Sequence, residues 1–125
     1  MSEKQKNDLD LEIRFMEGLV AQDPNYEEAL QILADDYTRR GRIEDGLEVD
    51  IRLAELCPDN PLVFYNLACS YSLLGRISEA AKAMNDALDL GYCDIEWMEQ
   101  DPDLERLRTH YLFQAILKRV HSDGV

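Results

Sequence analysis

The chain has 125 residues, 46% of them hydrophobic, which suits one small domain with a real core and excludes a disordered composition. Its 13 Lys and Arg against 26 Asp and Glu leave a formal charge of −13. That balance argues against nucleic acid, where basic side chains must neutralise phosphates, and against anionic membrane surfaces; solubility alone explains it, although a cationic partner would be steered favourably.

Residues 1–8 have no apolar stretch that could serve as a signal peptide, and no segment reaches the length of a membrane span. Cys57, Cys69 and Cys93 are an odd set at spacings that match no metal motif. They are expected to be reduced thiols in a cytoplasmic protein.

In chain order, residues 1–7 are polar and expected to fray. Leu9, Ile13, Met16 and Val20 recur at helical spacing and predict a helix from Asp8 to about Gln22, with Asp8 and Asp10 at its electropositive start. Asp23-Pro24-Asn25 ends it. A helix from about Asn25 to Arg39 turns Leu30, Leu33, Ala34 and Tyr37 inward and stops at Gly41, a residue that tolerates the left-handed conformation. The next runs from about Ile43 to Leu56, with Leu47, Ile51, Ala54 and Leu53 as inward candidates, and Pro58 prevents its continuation. Between Asn60 and Leu90 the same plan recurs. Phe64, Leu67, Ala68 and Tyr71 precede Gly75, and Ile77, Ala80, Ala81, Met84, Ala87 and Leu88 follow it.

A shift of 34 residues lays the sequence on itself: Pro24 on Pro58, Leu33 on Leu67, Ala34 on Ala68, Tyr37 on Tyr71, and Gly41-Arg42-Ile43 on Gly75-Arg76-Ile77. This period with a helix–turn–helix plan is a repeat signature. Beyond Gly91 it fails. Ile95, Trp97 and Met98 form a short apolar piece, Asp101-Pro102 opens a brief helix to Arg108, and a last helix spans about Tyr111 to Val120. Terminal units of a repeat array must cover an exposed apolar face, so residues 92–121 are expected to be a cap.

The two full repeats resemble tetratricopeptide repeats. In the second, Phe64, Leu67, Ala68, Tyr71, Gly75, Ala80, Met84 and Ala87 occupy the motif places, and Tyr92 stands where the motif has proline. In the first, Leu30, Leu33, Ala34, Tyr37, Gly41 and Pro58 fit, while Gly46, Asp50 and Leu53 depart and should weaken packing around its second helix. The stretch from Gly91 through Asp101-Pro102-Asp103-Leu104 to Phe113-Gln114 resembles the closing segment of bacterial tetratricopeptide proteins. The resemblance implies an all-α, right-handed α-solenoid of antiparallel helix pairs, with about seven to eight helices, forming one domain over residues 1–125. Its parts would be a half repeat (8–23), repeat 1 (24–58), repeat 2 (59–91) and the cap (92–121).

The resemblance further implies a scaffold that binds a peptide or partner segment in a concave groove. The groove positions here are Glu28, Gln31, Asp35, Thr38 and Arg39 in the first repeat and Leu62, Tyr65, Cys69, Ser72 and Leu73 in the second, with Asn66 beside them. Such a groove suits a segment with a basic residue and an apolar anchor. Either it is open along its length, or the cap folds over Leu62, Tyr65 and Leu73 and leaves Glu28, Gln31, Asp35 and Arg39 as the free surface. Members that clamp chaperone carboxylates use a Lys and Asn, a second Asn, then Lys and Arg. Only Asn66 matches; Gln31, Asp35, Glu96 and Glu99 stand at the other places, so that role is rejected.

No catalytic constellation emerges. His110 and His121 are isolated, and the acid pairs lack calcium-loop spacing. Cys69 has no cation beside it in sequence to lower its pKa. Trp97 is either an anchor of the cap or an exposed hot spot, the anchor being favoured. The expectation is a non-catalytic interaction module without metal or cofactor, with a small acidic chaperone or adaptor for an assembling or secreted partner as the alternative. A homodimer through Leu9, Ile13 and Met16 is open, because their helix lacks its usual first-helix partner; alternatively that helix packs on repeat 1.

Overall fold

The computed structural model describes residues 1–123, which are all helix and connection. They divide into two compact units, residues 1–58 and the described residues from 59 onward.

The first unit contains α1 (Glu3–Gln22), α2 (Glu27–Arg40) and α3 (Ile43–Leu56), with α2 packed against both neighbours. Helix α1 starts five residues earlier than its apolar spacing predicts. Ser2 Oγ accepts from the Gln5 backbone N–H at 3.1 Å, and the Gln5 side chain accepts from Ser2 N–H at 2.8 Å. This reciprocal cap satisfies two orphan amide donors and orders the terminus expected to fray. Asp10 is therefore no start-of-helix charge; it accepts from Arg40 Nε at 2.9 Å across to α2. Leu9 and Ile13 are buried with Leu33 and Tyr37, flanked by half-buried Met16, Val20 and Val49. The face of α1 that could have served a dimer is thus covered by α2. On α3, Leu47 and Leu53 are buried, Ala54 is half-buried and Ile51 is exposed, which corrects the inward assignment of Ile51.

The second unit contains α4 (Pro61–Leu73), α5 (Ile77–Asp89), α6 (Ile95–Gln100), a 3-10 turn (Pro102–Leu104), α7 (Glu105–Arg108) and α8 (Tyr111–Asp123). Helix α4 packs on α5, on the 3-10 turn and on α7, while α8 packs on α5 and α7. Met84, Met98, Leu104, Leu107, Phe113 and Ile116 are the large apolar side chains at its centre. Each contributes roughly 1.5–3 kcal/mol by leaving water. Met98 anchors α6; Trp97 is 46% exposed, which corrects the expectation that it anchors the cap. Arg119 of α8 reaches the Asn85 side chain at 2.8 Å and the Asp89 carboxylate, tying α8 to α5.

The 34-residue repeat is visible as geometry within each unit. Arg42 N–H donates to Tyr37 O at 2.8 Å, and Arg76 N–H donates to Tyr71 O at 2.9 Å. Both guanidinium groups stack on the tyrosine, at 4.6 and 5.0 Å from the ring centroid. Both also bind an acid three residues on, Asp45 and Glu79 respectively, through Nε at 2.8 Å. The turn preceding each arginine needs a left-handed residue, and Gly75 has φ 75° with its absent Cβ only 3.0 Å from Arg106 Nη1. Gly75→Ala is expected to cost unit 2 about 1–2 kcal/mol, read as a lower denaturation midpoint at unchanged slope.

Gly46 is explained by its surroundings. A Cβ there would lie 3.2 Å from Thr38 Oγ1 and 3.5 Å from Ala34 O, so the threonine takes the space an alanine methyl would fill. In the second repeat the corresponding residues are the smaller Ser72 and the larger Ala80.

Candidate functional site

Helix α4 carries the apolar half of the expected groove, and the chain's own closing segment covers much of it. Tyr65, Cys69 and Ser72 lie on one helical face and are all buried. The Tyr65 hydroxyl donates to Asp101 Oδ2 at 2.6 Å, and the Cys69 thiol donates to the same oxygen at 3.7 Å. Asp101 Oδ1 accepts from the Asp103 backbone N–H at 3.0 Å, and the Asp101 backbone carbonyl accepts from Arg108 Nη1. Farther along, Ser72 Oγ accepts from the Leu107 N–H at 3.3 Å. Tyr92, in the place of the motif proline, stacks on Tyr65 with ring centroids 4.4 Å apart and planes 13° from parallel. The departure from proline thus supplies a lid for the buried tyrosine.

Burial and the adjacent Asp101 carboxylate both hold the Tyr65 hydroxyl in its protonated form, with its pKa well above the ordinary phenol value. Burial raises Asp103 as well, with Asp101 adding to it. One ligand atom from each of Cys69, Asp101 and Asp103 falls within 4.8 Å of the others. Hydroxyl, thiol and amide protons already occupy the Asp101 oxygens, so the arrangement is that of a carboxylate latch between α4 and the closing segment. Of the other expected groove residues on α4, Leu62 is 60% exposed, Asn66 is exposed and Leu73 is half-buried.

Helix α2 presents the polar half. Glu28, Gln31, Asp35 and Arg39 are all exposed, and Thr38 is half-buried with its hydroxyl donating to Ala34 O at 3.1 Å. Between them, turned toward α1, lies a group that sequence reasoning missed. Asp36 is 1% exposed, and its Oδ2 meets no donor. Burial first, and the Glu12 carboxyl on α1 second, raise Asp36 to about 7. Below about pH 7 the protonated Asp36 can donate to Glu12, while Arg39 Nη1, 3.8 Å from Asp36 Oδ1, favours the ionised form. The shifted sequence places Ser70 at this position in the second repeat, also buried, so a small polar residue at that register was the available signal.

The cysteines are thiols of graded accessibility: Cys93 exposed, Cys57 half-buried and Cys69 buried. Burial and neighbouring Glu27 push the Cys57 thiol up from its ordinary pKa. His110 Nδ1 accepts from the Leu112 N–H at 3.2 Å, a capping contact at the start of α8, and His121 lies 3.8 Å from Glu99. Among the described residues, no helix is long and apolar enough to cross a membrane.

No protein-family model matches the chain. The chain is similar to a chloroplastic protein of Arabidopsis thaliana, with 33% identity over 89 residues. The match takes in 66% of this chain and 26% of that protein, so the chain spans about a quarter of its relative's length.

Proposed function

We propose that the chain is a tetratricopeptide-type module, a right-handed α-solenoid acting as a non-catalytic scaffold that captures a segment of a partner protein. The observation that carries this reading is the exposed α2 face of Glu28, Gln31, Asp35 and Arg39, one side of a helix held rigid by α1 and α3. The recurrence of the Tyr–Arg–acid turn at the 34-residue period supports the repeat assignment. Groups with displaced titration, such as Asp36 and Tyr65, face neighbouring helices rather than an open cavity, which favours binding over catalysis. The partner segment carries basic residues that meet Glu28 and Asp35, together with an apolar side chain. Reduced thiols suit a reducing compartment: the cytosol, or a chloroplast as for the plant relative.

Titration of a synthetic peptide of alternating lysine and leucine tests the reading calorimetrically. The double variant Glu28→Lys, Asp35→Lys is expected to weaken binding roughly tenfold or more. Equal binding by both proteins would remove this face from consideration. One equivalent of metal retained after dialysis, lost with Asp101→Asn, would instead favour a metal protein.

A further inference from the structure

A second surface lies in the first unit, independent of the acidic α2 face. An open groove of about 670 Å³ is lined by Asn7, Asp10, Leu11, Ile13, Arg14, Arg40 and Arg42. Three arginines thus converge there, Arg40 paired with Asp10 and Arg42 with Asp45 and Glu17, which leaves Arg14 as the groove's unmatched cation among the described residues, in a protein whose formal charge is −13. Two are held in place. Arg40 is pinned through Nε to Asp10 at 2.9 Å, and Arg42 is stacked on Tyr37, bound through Nε to Asp45 at 2.8 Å and set with Nη2 3.9 Å from Glu17. Arg14, on the exposed side of α1, makes no ion pair among the described residues. Beside it, Leu11 is 58% exposed and Phe15, one turn on, is 63% exposed.

We propose that this groove docks an acidic segment of a partner protein, its carboxylates meeting Arg14 and the outer nitrogens of Arg40, and a bulky apolar side chain lying on Leu11. Charge complementarity selects that occupant. Guanidinium forks match carboxylates in two-point geometry, and an arginine already fixed by Asp10 loses little freedom on binding. The rest of the molecule repels acidic chains at long range, but a screening length of about 8 Å at physiological salt confines recognition to the groove. The two surfaces of unit 1 therefore select partners of opposite charge.

The test is fluorescence anisotropy in physiological salt, using a labelled synthetic peptide of alternating glutamate and leucine and a matched peptide with lysine for glutamate. The intact chain is expected to bind the glutamate peptide. Arg14→Glu is expected to weaken that binding roughly tenfold or more, and Arg14→Gln by less. The control Arg76→Gln, in the other unit, is expected to leave it unchanged. Circular dichroism melts establish that each variant is folded; Arg14→Gln, neutral and on an exposed helix face, serves if the charge reversal is not. No binding of the glutamate peptide, or equal binding by the Arg14 variants, would overturn the proposal. Self-association of the intact chain, abolished by Arg14→Glu in sedimentation velocity, would also overturn it and assign the groove to a second copy. Loss of lysine-peptide binding in the Glu28 and Asp35 variants bears on the α2 face alone, so failure of either reading is separable.

Discussion

Replacing Asp101 with alanine is expected to destabilise the second unit by about 3 kcal/mol or more and to open the buried face of α4. The side chain accepts from Tyr65 Oη, Cys69 Sγ and the Asp103 N–H, and its backbone joins the end of α6 to the 3-10 turn. A hydrogen bond to a charged acceptor contributes roughly 1.5–3 kcal/mol, and a buried donor left without its acceptor bears its full desolvation cost. Truncation therefore strands a hydroxyl and a thiol in the same place. The loss is read from denaturant unfolding. Two further readouts separate unlatching from general weakening. Amide exchange across Pro61–Leu73 should accelerate selectively, and Cys69, buried in the intact protein, should begin to react with a thiol reagent after Cys93 and Cys57. Tyr65→Phe removes one donor and should cost less, about 1 kcal/mol. If Asp101→Ala leaves both the exchange of α4 and the reactivity of Cys69 unchanged, the closing segment is not held by this carboxylate.

Asp36→Asn is expected to act in the opposite direction, and only at higher pH. In the folded protein burial and Glu12 raise the carboxyl to about 7, whereas an unfolded chain releases that proton near 4. Between those limits the native state binds a proton that the unfolded state has lost. Stability therefore falls as pH rises through that window and levels off above it. Each pK unit corresponds to about 1.4 kcal/mol, so the destabilisation above neutrality is limited to about 4 kcal/mol. Asparagine supplies an amide donor to Glu12 at every pH. The variant should match the native protein near pH 4 and exceed it by up to about 4 kcal/mol at pH 8. Comparing the two proteins across pH cancels the titration of the other carboxylates. A difference that does not change with pH would show that Asp36 is ionised in the folded state throughout.

Much of the helical plan was legible because each element leaves a local trace. Apolar residues recur at helical spacing, and glycine or proline punctuates them; α3 falls on its expected bounds, Ile43 to Leu56. The early start of α1 was legible too, in Ser2 followed three residues later by Gln5, but apolar spacing alone passed over it. Residue choice within the repeats was partly legible. Gly46 and Tyr92 read as departures because the motif records one residue at a time, whereas Thr38 fills the space beside the glycine and Tyr65 receives the tyrosine ring. Trp97 and Met98 are adjacent in a six-residue helix whose pattern is too short to reveal which one faces inward.

The all-helical class, the 34-residue period and the excess of acidic side chains can be read from the chain alone, since propensity, spacing and net charge are properties of neighbouring residues or of their sum. Which expected groove residues are accessible depends instead on packing between distant segments. Asp101 lies 36 residues beyond Tyr65 in the chain and yet accepts its hydroxyl proton, and Arg40 reaches Asp10 across 30 residues. Burial, a carboxyl raised to about 7 and a groove gathering three arginines all arise from which helices are brought together. That information belongs to packing, in which side chains far apart in sequence share one desolvated space.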